Sequence, residues 1–175
     1  IPFVAIDQDP DQIEFIRKFG HKVYYGDASR VDLLHAAGAS KAKFFVLAID
    51  DVEMSLQTAR TVKENFPHMT IFARARNRGH AFDLMDLGIT HIKREVAESS
   101  TSFVKELLIE MGQQEIHAQM VVEKFKEHDE QMLLEQYKVR NDDENFISVS
   151  KQATAQLAQV FEDEAKKSYI KPQNS

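Results

Sequence analysis

Short β-type runs alternating with helical stretches restrict this chain more than any other feature. Pro2–Ile6, Val23–Tyr25, Phe44–Ile49, Thr70–Ala75 and Ile89–Ile92 read as strands. Between them Pro10–Phe19, Arg30–Ala37, Val52–Asn65 and His80–Leu87 read as helices, with apolar residues at helical spacing. The punctuation agrees: Asp9 and Pro10 open a helix as cap and first residue, and Gly20, Gly38 and Gly88 follow helix ends. That order implies an α/β fold, a Rossmann-like parallel sheet with right-handed crossovers. The continuous apolar run Phe44–Ile49 predicts a strand buried on both faces.

The last third carries no strand pattern. Glu95–Met111, Ile116–Val139 and Phe146–Ser168 read as helices, with polar Arg140–Asn145 between the last two. The end of the strand pattern places a break near Gly112, giving residues 1–112 to the α/β domain and 113–175 to a C-terminal helical extension. The closing residues, Lys-Pro-Gln-Asn-Ser, read as a frayed tail. Length and 43% hydrophobic content suffice for one ordinary core plus this appendage. No run nears the roughly eighteen apolar residues of a membrane helix, and the start does not read as a signal peptide. The absence of cysteine excludes disulfides and thiolate zinc and fits a reducing compartment. A net charge of −6 argues against a nucleic-acid partner.

Ligands of open parallel sheets bind beyond the carboxyl ends of the strands. Those ends carry Asp7 and Gln8, then Gly26, Asp27 and Ala28, then Asp50 and Asp51, then Arg74 and Arg76, then Lys93 and Arg94. Asp7 is the residue type that accepts from ribose hydroxyls. Gly26 permits a tight turn, Ala28 leaves room for a flat ring, and Asp27 either accepts from an adenine amino group or caps the next helix. Asp50 and Asp51 also read as helix caps, and any one arginine reads first as the partner of Asp50, Asp51, Glu95 or Glu98. The glycine turn G-x-G-x-x-G, which cradles pyrophosphate, does not occur. The chain starts at what would be the second strand, so the first strand and its glycine turn are expected upstream of Ile1. No catalytic constellation is evident. His21, His68, His80, His91, His117 and His128 form no metal-ligand pair at helical spacing.

The segments AIDQDPDQIEFIRKFGHKVYYGDAS, VLAIDD, ENFPHMTIFARARNRGHAF and HIKRE, in this order, closely resemble the potassium-transport nucleotide-binding domain (KTN, or RCK), and within it the glutathione-gated potassium efflux (Kef) type. The resemblance covers residues 1–139. It implies a regulatory domain rather than an enzyme, on the cytoplasmic face of the inner membrane. Its implied partners are a second copy, the N-terminal antiporter domain of the same protein, and the quinone-reductase-like flavoprotein that binds some members. AMP or NAD(H) is the implied structural nucleotide.

Glutathione is the implied inhibitory ligand, and its bulky S-conjugates the activators. By position, Phe19 matches the aromatic residue a bulky adduct displaces, and Arg94 a glutathione-binding arginine. Asp129 falls where the family has an asparagine, and would pair the ligand's ammonium but repel its carboxylates. On pattern alone Phe19 reads first as plain core at a helix end. Driving a gate from closed to open needs about 5 kcal/mol of differential binding, and displacing a packed phenylalanine is worth about 3–5 kcal/mol. The helix Glu95–Met111 presents Val96, Phe103, Leu107 and Leu108; in the family this helix crosses into the dimer partner, and the alternative is a helix docked within its own chain. The alternative is a KTN dimerisation domain gated by nucleotide, without a glutathione response.

Overall fold

The computed structural model describes residues 2–169. It divides into two compact units at Val96–Ala97, earlier than Gly112, because the helix that follows the last strand belongs with the helical part. The expected tail lies outside the described residues.

In the first unit β1 (Val4–Asp7), α1 (Pro10–Lys18), β2 (Lys22–Tyr25) and α2 (Val31–Ala37) are followed by a short 3-10 turn, Ala39–Lys41. Then come β3 (Phe44–Leu47), α3 (Val52–Asn65), β4 (Thr70–Ala75), α4 (Arg78–Asp86) and β5 (His91–Arg94). Local chemistry sets these limits. Asp9 Oδ1 accepts from Asp11 N at 2.9 Å ahead of Pro10. Asp51 caps α3 by accepting from Met54 N at 2.8 Å. The last strand starts two residues later than the sequence pattern suggests. Gly88 N and Ile89 N instead donate to Met85 O and Leu84 O and close α4, with Gly88 at φ +72°.

All pairing is parallel, as expected, but the strands are hydrogen-bonded in two pieces, β1-β2 and β3-β4-β5. A doubly wound order places one strand between β1 and β3, and no described residue occupies that place. The core lies on one face of the larger piece. Leu34, Ala39, Leu47, Ala59, Val62, Phe66, Ile71, Ala73, Ala81 and Leu84 form it, and Ile6 of β1 packs against it. The opposite face corrects the expectation for β3: Phe44 is 62% and Val46 74% exposed. Alternation of burial along β3 and β4 shows why: the helices α2, α3 and α4 cover one side only. On the open side Phe72 stacks on His91 at 4.4 Å and meets Phe44 edge-on at 5.9 Å.

The second unit holds most of α5 (Glu95–Glu110), with α6 (Glu115–Val139) and α7 (Asp143–Tyr169). The hairpin α6–α7 buries Leu133 and Ala153, and Gln136 Nε2 donates to Ser150 Oγ at 2.8 Å. No described helix is long and apolar enough to cross a membrane.

Candidate functional site

Two groups of predicted residues assemble at the carboxyl ends of the strands. At the β1–β2 end, Gly26 N donates to Asp7 O at 2.8 Å and ties the two strand exits together. Gly26 sits at φ +143°, and an added Cβ would lie 2.9 Å from Leu33 Cδ2, so the turn requires glycine. Asp7 Oδ1 accepts from Asp9 N at 2.9 Å. Asp27 Oδ1 accepts from Ser29 N at 2.8 Å, so it stabilises the turn ahead of the helix. It is not the cap of α2; that position is Arg30, whose side chain makes no cap bond. An ionised carboxylate has about four acceptor sites, so one bond to a backbone amide leaves both aspartates able to accept from a ligand. Asp7, Asp27 and Ala28 are half-buried and Gln8 is exposed beside them.

At the β3–β4 end, Arg74 is the hub. Its guanidinium pairs with Asp50, donates to Ala48 O at 2.9 Å and lies 3.3 Å from Glu95 Oε2. Two of the acids anticipated as arginine partners are therefore its partners, while the neighbouring Asp51 is a helix cap. Ile49, Asp50, Arg74, Arg76, Glu95 and Val96 line an open cleft of about 280 Å³. One cation between two carboxylates is a poised arrangement, since a bidentate anion can replace an exposed acid on the guanidinium.

Phe19 and Arg94 are not brought together. Phe19 ends α1 just ahead of β2, where the strands begin, whereas Arg94 is the last residue of β5, where they end. Phe19 is also not core: it is 64% exposed, touching Phe15 edge-on at 5.0 Å. Asp129 is in the second unit, buried in α6.

Sequence reasoning missed His80. It is 2% exposed, and its Nδ1 accepts from Arg76 N at 3.2 Å across the turn from β4 to α4. Burial holds its pKa below 6.5, opposed by the charge of Asp83. A lone histidine in an amphipathic helix gives no signal of that role.

This parallel α/β unit with charged strand ends matches the model of the TrkA-N domain over residues 1–95. The chain belongs to the TrkA-N domain family. Residues 99–175 match the model of the potassium efflux system KefB C-terminal domain. The chain is 39% identical over 92% of its length to the glutathione-regulated potassium-efflux system protein KefC of Escherichia coli strain SMS-3-5, and 38% identical to that of Salmonella arizonae. The chain spans 26% of the length of these relatives. Among solved structures, the Kef CTD of Shewanella denitrificans in AMP-bound form is 28% identical, with a TM-score of 0.68, over 79% of this chain and 99% of that one. The TrkA-N domain of the Escherichia coli inner membrane protein ybaL shares the fold at 20% identity and TM-score 0.56, over 61% of this chain and 79% of that one.

Proposed function

We propose that this chain is the regulatory domain of a potassium-efflux antiporter, placed on the cytoplasmic side of the membrane and holding an adenine nucleotide at its strand ends. The observation that carries this reading is the pairing of an acceptor-rich β1–β2 end with an arginine cleft at β3–β4, in a chain related to an AMP-bound Kef domain. Asp7 and Gln8 receive the ribose hydroxyls. Gly26, Asp27 and Ala28 form the adenine edge, where a larger residue than alanine would crowd the ring. Asp50, Asp51 and Arg74 form the opposite wall, where a phosphate competes with Asp50 for the guanidinium. NAD(H) presents the same adenosine and fits the same reading. The nucleotide is structural, and the domain acts by binding rather than catalysis.

Gating by glutathione and its S-conjugates is the finer part of the proposal. Arg94 supplies a guanidinium to a glutathione carboxylate, and Asp129 a carboxylate to its ammonium. Phe19 senses the sulfur substituent. Because Phe19 and Arg94 flank opposite edges of the strands, a ligand touching both draws them from two copies of the chain. The exposed apolar stripe of α5, Phe103, Val104 and Leu107, continued by Met111 just past its end, supports such a homodimer. Exposed as it is in one chain, Phe19 cannot by itself supply the 3–5 kcal/mol of a packed ring; the difference between gate states must come from packing against the second copy. The partners of this device are the antiporter domain of the same protein and a quinone-reductase-like flavoprotein.

Isothermal titration with AMP, NAD, glutathione and an S-alkyl glutathione tests the proposal. Nucleotide binding that weakens in Arg74→Ala, with glutathione binding that weakens in Arg94→Ala, is the expected result. Nucleotide binding with no glutathione response would leave a KTN dimerisation domain gated by nucleotide alone.

A further inference from the structure

The turn from β4 to α4 carries Arg76, which lines the cleft, and it is held by one buried imidazole. His80 is 2% exposed, its Nδ1 accepts from the Arg76 backbone N–H at 3.2 Å, and its Nε2 has no partner among the described residues. The same residue's backbone N donates to Asn77 Oδ1 at 2.9 Å, so both ends of the turn converge on it. Accepting at Nδ1 fixes the neutral tautomer with its proton on Nε2. A second proton can only go to Nδ1, where it would face the Arg76 N–H, donor against donor. The latch bond is then lost outright.

What the surroundings offer the charged ring in exchange is the charge of Asp83, which burial outweighs. On its own helix Asp83, exposed one turn along, is the charge that acts on it. The elements packed on α4 turn uncharged side chains inward: Ser55, Thr58, Ala59 and Val62 of α3, Ala73 and Ala75 of β4, and half-buried Ile92 of β5. Their charged residues, Glu53, Arg60, Lys63 and Glu64 on α3, Arg74 on β4, and Lys93 and Arg94 on β5, are exposed or half-exposed.

We propose that His80 is a proton-operated latch: neutral, it holds the Arg76 backbone and with it the arginine side of the cleft, and protonation releases that turn. The latch is a property of the chain without ligand, so it stands apart from any reading of what the cleft binds. Its test is NMR of the whole chain between pH 5 and 8, following the His80 ring and the exchange of the Arg76 amide, corrected for the intrinsic pH dependence of exchange. The expected result is a loss of Arg76 protection, about two- to tenfold for one hydrogen bond, with the same midpoint as the ring. In His80→Gln, whose Oε1 accepts at every pH, protection persists and the step vanishes. Arg76 protection that ignores the titration of the ring would overturn the latch, as would an unchanged step in His80→Gln. Should that variant not fold, the shared or separate midpoints in the wild-type chain decide alone.

Discussion

Three side chains separate roles that the residue types alone leave mixed. Gly26→Ala places a Cβ in a left-handed backbone against Leu33, and the strain should cost about 1–3 kcal/mol; the urea midpoint should fall with no change in slope. Thr58 points the other way. Its hydroxyl is fully buried with no hydrogen-bond partner among the described residues. Thr58→Val keeps the shape and removes the orphaned group, so it should stabilise the chain by about 1 kcal/mol in the same assay. His80 adds a pH dependence with a definite sign. Burial lowers its folded pKa below 6.5, so the unfolded chain binds the proton more readily. Its contribution is complete above about pH 6.5 and declines as the pH falls from there toward the folded value. His80→Gln should flatten that part of a stability-against-pH curve; an unchanged curve would count against burial as the cause.

At the scale of elements, adjacent aspartates have unequal duties. Asp51 satisfies an amide at the head of a fourteen-residue helix whose inner side is core. Asp51→Ala should therefore cost about 1 kcal/mol. Asp50 is 84% exposed in its pair with Arg74, and Asp50→Ala should cost well under 1 kcal/mol in denaturation. The helices were legible because caps, glycines and apolar spacing are local: Val52–Asn65 and Thr70–Ala75 were readable to the residue. What the sequence could not reveal is tertiary. The run from Phe44 looks the same whether one face or two are covered. Likewise the aspartates were readable as acceptors, but which one holds Arg74 depends on the register that sets β3 beside β4.

For the whole molecule, the two ligand readings differ in what they ask of a second copy. All residues assigned to the nucleotide lie in the first compact unit of one chain. The glutathione reading asks for Phe19 and Arg94 from different copies, since they flank opposite strand edges. The apolar stripe of α5 is the place to break that arrangement: Phe103 is 69% exposed, so Phe103→Asp should leave the chain's own packing intact while opposing association. Sedimentation should then show a dimer for the wild type and a monomer for the variant. Thermal shifts carry the argument further, because a ligand that binds only the folded state stabilises it by about 2.7 kcal/mol at a hundred times its Kd. AMP should raise the melting temperature of both proteins, whereas glutathione should raise that of the wild type alone and lose its effect in Arg94→Ala. A glutathione shift that survives in the monomer would place its site within one chain and remove Phe19 from it. A nucleotide shift that disappears with the dimer would instead mean that the strand ends are incomplete without the second copy.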